Sequence, residues 1–185
     1  MPDGSHRLIF LLGGARSGKS RYAEEWGKEH GRSVLFVATA EALDEEMRDR
    51  ISHHRQQRPD SWRTLEAPVN VGAAIQQVSG EYDTVILDCI TLLAANVLLK
   101  LPDECSQEEA NRHILAEVEA ILNAYAQSRA MWLIVSNEVG MGVVPPTRLG
   151  RLYRDALGTA NQRIAQAADE VLLFVAGLPW RLKPA

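Results

Sequence analysis

A chain of 185 residues, 46% apolar and 24% charged, is long enough to bury one substantial core and too short for two. Its formal net charge of −4 argues against a dedicated nucleic-acid binder, which would carry a basic stripe. No stretch reaches the roughly 18 uninterrupted apolar residues that a membrane span needs.

The leading "MPDGSH" carries no pattern and is expected to be loose and peripheral. "LIFLL", from Leu8, is too short for a signal-peptide core and predicts a buried strand. A helical pattern follows over residues 19–30, then the strand "VLFVA" from Val34, and helical patterns over 42–57 and 70–79. "TVILD" from Thr84, a helix over 107–128, "MWLIV" from Met131, a helix over 148–168 and "VLLFV" from Val171 complete the series. Continuous apolar runs, as opposed to alternating ones, imply strands covered on both faces and hence a parallel sheet. Repeated strand-helix alternation predicts an α/β, three-layer fold with helices on both faces of that sheet. The breakers Gly31-Arg32, Pro59-Asp60, Pro102-Asp103 and Pro145-Pro146 start no region with its own core, so residues 1–185 are expected to form one domain. Trp62, Trp132 and Trp180 fit core or interface positions better than ligand stacking. The 148–168 helix, with Arg148, Arg151, Arg154 and Arg163, fits a packed helix with a solvated basic edge. Cys89 and Cys105 have neither zinc-ligand nor C-x-x-C spacing, a pattern of lone thiols in a reducing, cytoplasmic setting.

"GGARSGKS", Gly13 to Ser20, fits G-x-x-x-x-G-K-[ST] between a strand and a helix. Glycines let successive backbone N–H groups converge on phosphate oxygens, and the helix start adds the positive end of its dipole. Lys19 is placed to reach the β- and γ-phosphates, and the Ser20 hydroxyl to ligate Mg²⁺. Such a loop also needs an acidic residue at a neighbouring strand end, and Asp88 closes "VILD". A lone Asp there also serves as a helix N-cap, a role Thr91 could share. Kinases, ATPases and GTPases all use this loop, so it identifies the phosphate cradle and leaves the acceptor open.

The helix over 42–57 places Leu43, Met47 and Ile51 on one apolar stripe. At about 100° per residue, His54 projects ~20° from Met47 and His53 about 120° away, so His54 continues the stripe. Arg55 and Arg58 follow, and Pro59 ends the helix. Two guanidiniums beside an imidazole make a place for an anion and favour the neutral ring. From the residues alone, His54 could be a nucleophile, an acid-base group, a phosphate ligand, or a satisfied histidine with no chemical duty.

"GGARSGKSRYAE", "VATA", "DEEMRDRISHHRQQRP", "WRTLEAP", "LDCITLL", "VSNEVGMGVVP" and "GTANQRIAQAADEVLLFVAG" together resemble the bifunctional adenosylcobinamide kinase / adenosylcobinamide-phosphate guanylyltransferase family of cobalamin biosynthesis. The likeness runs from about Leu8 to Gly177. It implies a P-loop, RecA-like α/β fold, a homotrimer, and two reactions. ATP or GTP phosphorylates adenosylcobinamide; GTP then guanylylates a histidine, and the GMP passes to adenosylcobinamide phosphate to give adenosylcobinamide-GDP. The family's "H-[RK]-x-x-R-P" falls on His54, with His53 as the fallback, and Lys19 shares the catalytic set. The nucleotide contacts carried over are Gly13, Gly14, Ala15, Arg16, Ser17, Gly18, Lys19 and Ser20, then Ala38, Thr39 and Ala40. Arg55, Gln56, Gln57, Arg58, Glu66 and Asp88 complete them, with Mg²⁺ at Ser20 and Asp88. "SNEVGMG" is expected at the sheet's carboxyl edge, where Asn137 and Glu138 either close on the corrinoid or order their own loop. A plain P-loop kinase, with His54 only binding phosphate, and a RecA-like NTPase module are the competing readings.

Overall fold

The computed structural model describes residues 6–41, 45, 48, 55, 58–78 and 80–184. Its elements run β1 (Arg7–Gly13), α1 (Lys19–His30), β2 (Val34–Ala38), β3 (Arg63–Glu66), α2 (Val71–Gln77), β4 (Thr84–Asp88) and α3 (Ile90–Leu98). They continue with α4 (Gln107–Gln127), β5 (Met131–Val135), α5 (Arg148–Ala167), β6 (Glu170–Val175) and β7 (Leu178–Lys183). All strands join one sheet in the order β3-β2-β4-β5-β1-β6-β7. Each neighbouring pair is parallel except β6 with β7.

The apolar runs are continuous because both sheet faces are covered. Leu8, Phe10, Leu35, Val37, Val85, Leu87, Trp132 and Ile134 pack into one core with the inner faces of α3, α4 and α5. The residues between them, Ile9, Leu11, Val34, Phe36, Ile86, Leu133 and Val135, pack on the opposite face with Ala23 of α1. Successive side chains alternate between two buried layers. This is the three-layer arrangement expected, and β5 separates the loop-bearing β1 from β4. No helix of the described residues is long and apolar enough to cross a membrane.

Three elements exceed the expectation. β3 and the antiparallel β7 extend the sheet at its two edges, and the second of them takes in the tail residues "PWRLK". The turn into β7 has Ala176 at φ 52° and Gly177 at φ 84°, the signs that a tight hairpin turn requires. α3 is the third addition; seven of its residues are buried, so it shows no polar face from which a helix could be recognised. The basic edge expected of α5 is largely engaged. Arg148 donates to the Asp103 and Cys105 carbonyls, Arg151 to the Pro145 and Pro146 carbonyls, and Arg163 to both oxygens of Glu119. Trp132 is buried and donates to Ser128 Oγ, Trp62 packs beside Phe36, and Trp180 is exposed on β7.

Candidate functional site

The carboxyl ends of β1, β2, β3, β4 and β5 open onto a cleft of about 760 Å³. Parallel register brings them level: Ala38 faces Glu66 on one side and Asp88 on the other, and Asp88 faces Val135. Ligands bind in such a crevice outside the carboxyl ends of an open α/β sheet.

The glycine loop turns from β1 into α1 through three residues in positive φ, Gly13 at 148°, Arg16 at 57° and Gly18 at 101°. A Cβ on Gly13 would lie 2.5 Å from the Phe174 carbonyl oxygen of β6, so the strand exit has room only for glycine. Gly18 is the N-cap of α1 without any side-chain cap, and the first turn holds no acidic residue. The helix's leading N–H groups are thereby left for a ligand anion. The β6–β7 turn braces the loop from behind: Gly177 N–H donates to the Ser17 carbonyl at 3.0 Å.

Lys19 is buried, and its Nζ donates to the Gly14 carbonyl at 2.7 Å and to Ser17 Oγ at 3.3 Å. Burial lowers the ammonium below the usual lysine range, while the nearby Cys89 and Asp88 act to raise it. Asp88 ends β4 at the cleft wall. The N-cap of α3 is Cys89, with no side-chain cap, so the capping role is not taken by Asp88. Cys89 lines the cleft as a neutral thiol, pushed up to about 12 by burial and by Asp88. Neither cysteine is in a disulfide.

Of the residues expected to touch a nucleotide, Ala15, Arg16, Ser17, Gly18, Lys19, Ser20, Ala38, Ala40, Arg55, Arg58, Glu66 and Asp88 line this cleft. Gly13 and Gly14 are not among the lining residues; Gly13 supplies the positive φ at the start of the turn. Thr39 is fully buried instead, and its side chain has a packing role: the hydroxyl donates to the Cys89 carbonyl at 2.7 Å and accepts from Cys89 N–H at 2.8 Å. His54, His53, Gln56 and Gln57 lie outside the described residues, with most of the predicted 42–57 helix, of which Glu45, Arg48 and Arg55 are described as helical. Arg55 Nη1 meets Glu66 Oε1 at 3.5 Å in an exposed pair of the kind that adds little stability. Arg58 lays its guanidinium 3.5 Å from the Phe36 ring centroid.

Thr64, Thr91, Leu92 and Asn137 also line the cleft. Asn137 N–H donates to Thr91 Oγ1 at 2.7 Å, while the Asn137 carbonyl accepts from Asn161 Nδ2 at 3.0 Å. Glu138 N–H donates to the Gly13 carbonyl at 3.1 Å. The loop after β5 is therefore tied at its root to the phosphate loop and to α3, while Met141 and Val143 stand 80% and 94% exposed beyond it. Asn137 thus reaches the cleft and Glu138 orders its own loop, accepting from Gly140 N–H at 2.6 Å.

Ser20 and Asp88 offer one hydroxyl and one carboxylate to a single cleft. No group of three or more His, Cys, Asp or Glu able to hold a metal occurs among the described residues. Two hard oxygens with room for phosphates and water fit Mg²⁺, which is held by few protein ligands and by substrate oxygens.

The sequence profile of the "cobinamide kinase / cobinamide phosphate guanyltransferase" family matches residues 9–182. The "bifunctional adenosylcobalamin biosynthesis protein CobU" of Escherichia coli (strain K12) is 41% identical over 181 residues, covering 95% of this chain and 99% of the relative. The CobU of Salmonella typhimurium (strain LT2) is 40% identical over the same length and shares. The "bifunctional adenosylcobalamin biosynthesis protein CobP" of Pseudomonas aeruginosa (strain PAO1) is 42% identical over 173 residues, covering 94% of this chain and 95% of the relative. Among solved structures, flagellar accessory protein FlaH from Methanocaldococcus jannaschii is similar at a TM-score of 0.49 and 14% identity, covering 97% of this chain and 79% of that one.

Proposed function

The chain belongs to the cobinamide kinase / cobinamide phosphate guanyltransferase family, and from that premise we propose how its cleft serves both reactions. The protein is a transferase of cobalamin biosynthesis, a cobinamide kinase and cobinamide-phosphate guanylyltransferase. In the kinase step the hydroxyl of adenosylcobinamide attacks the γ-phosphorus of ATP or GTP, and the nucleoside diphosphate leaves. In the second step His54 attacks the α-phosphorus of GTP; a P–N bond forms, the P–O bond breaks and pyrophosphate departs. The phosphate of adenosylcobinamide phosphate then takes the GMP, the P–N electron pair returns to the imidazole, and adenosylcobinamide-GDP is released.

The observation that carries this reading is the meeting of Lys19, Arg55 and Arg58 around one cleft. Three cations from two parts of the chain, the phosphate loop and the segment that carries Arg55 and Arg58, surround a space that the loop opens. Their charge neutralises the transferring phosphoryl group and its leaving oxygen. Ser20 and Asp88 would hold Mg²⁺, which supplies further neutralisation of phosphate charge when bound. Routing GMP through a neutral imidazole avoids bringing substrate phosphate and GTP together directly as two anions. In keeping with the family resemblance, we assign a homotrimer working in the cytoplasm; two unpaired cysteines agree with the compartment.

Incubation with GTP labelled at the α-phosphate, followed by denaturation, tests the covalent step. The expected result is label that survives alkali, is lost in acid, and is absent from His54→Ala. Label retained in His54→Ala and lost in His53→Ala would move the nucleophile by one residue. No label in the wild-type protein would leave only the kinase.

A further inference from the structure

Glu24 has no duty in the chemistry above, yet it is buried beside it. It lies four residues after Ser20 on α1, on the helix face that Ser20 turns to the cleft. Its exposure is 7%, and its Oε1 has no hydrogen-bond partner among the described residues. An unsatisfied buried carboxylate oxygen is expensive and calls for an explanation. Arg58 shows the complementary defect: its Nε is buried and likewise has no partner among the described residues.

The two side chains share one face of the sheet. Arg58 stacks on Phe36, and Phe36 belongs to the same packed layer as Ala23, the residue before Glu24. Trp62 holds the turn after Arg58 against α1, since a Cβ on Gly27 would lie 2.9 Å from its indole, and Trp62 N–H donates to the Pro59 carbonyl. Each charge also registers at the other group. Burial raises the Glu24 carboxyl, and the Arg58 guanidinium is the strongest charge opposing that rise. Burial lowers Arg58, and Glu24 is the strongest charge opposing that.

A guanidinium that grips a phosphate with its two Nη groups turns its Nε toward the protein, where that N–H needs an acceptor. We propose that Glu24 is a positioning residue for guanylyl transfer: its buried carboxylate receives Arg58 Nε and so aims the Arg58 Nη groups at the nucleotide phosphates in the cleft. The pair forms when the Arg58 side chain turns from Phe36 toward Glu24. The inference rests on the proposed function, in which Arg58 faces the transferred GMP.

Single-turnover incorporation of label from α-labelled GTP, measured against GTP concentration, tests it. In Glu24→Gln the saturating rate should fall about 10- to 100-fold, the size of a misaligned charge clamp. The half-saturating GTP concentration should stay level or drop, because a negative charge has been removed from behind an anion site. Glu24→Asp should restore part of the rate. In an Arg58→Lys background, which has no Nε, Glu24→Gln should change the rate by less than about twofold. A wild-type saturating rate in Glu24→Gln would overturn the inference, as would an equal loss in the parent and Arg58→Lys backgrounds. Should Glu24→Gln fail to fold, Glu24→Asp in the two backgrounds decides by the same comparison. If wild-type protein takes no label, this inference and the reading beneath it both fall; if labelling depends on His54 but not on Glu24, only this one does.

Discussion

Lys19 satisfies the loop it belongs to, with its ammonium folded onto Gly14 O and Ser17 Oγ. Those two acceptors hold a buried cation in place, poised where nucleotide phosphates would exchange with them. Lys19→Ala should therefore lower kcat of both the kinase and guanylyl-transfer reactions by about 10²–10³, the loss seen when one transition-state donor is removed. Steady-state assays of each reaction measure it; a change confined to one reaction would mean that the two do not share this cradle. Lys19, Ser20 and Asp88 were legible in the sequence because the motif's spacing and its strand-loop-helix context are local. Thr39 was expected at the nucleotide on resemblance and is buried instead. Its hydroxyl holds the Cys89 backbone and its carbonyl accepts from Asn96 Nδ2 at 2.8 Å, contacts made across more than 45 residues that no local pattern carries. In the sequence Thr91 reads only as a candidate cap; its place in the cleft wall follows from strand order, which the sequence does not spell out.

At the scale of elements, α4 has the most fully specified start. Ser106 Oγ accepts from Glu109 N–H at 3.1 Å, and Glu109 Oε2 accepts from Ser106 N–H at 2.8 Å, a complete capping box. Ser106→Ala should cost about 1 kcal/mol and lower Tm by about 2–4 °C. The Glu109 carboxyl sits below its usual range because the Ser106 backbone and side chain hydrogen-bond to it. A depressed folded pKa contributes stability above the unfolded value and loses it as pH falls through the folded one. Thermal melts should therefore show a wider gap between wild type and Ser106→Ala at pH 7 than at pH 3, and a gap that widens in acid would contradict the box. α4 and α5 were legible from their 3.6-residue period, and their observed ends agree with the expected ones to within a residue. α3 was missed because "ITLLAANVL" is buried nearly all round. β3 and β7 were missed because they are short, largely exposed edge strands in which little apolar pattern is required.

Across the whole molecule, five strand ends meet at one edge, and each contributes to one cleft. The continuous apolar runs made a parallel, doubly covered sheet readable, because burial on both faces removes alternation. The order of the strands was not readable, and it is the order that sets Asp88 level with Ala38 and Val135 and puts the β6–β7 turn behind Ser17. On the proposed function, this architecture holds a guanine nucleotide where an imidazole can take its α-phosphorus. The most direct test is peptide mapping by mass spectrometry, under alkaline conditions, of protein quenched after reaction with GTP. One GMP is expected, on the peptide carrying His54 and removed by brief acid. GMP on a peptide without His54, or guanylyl transfer persisting at full rate in His54→Ala, would contradict it.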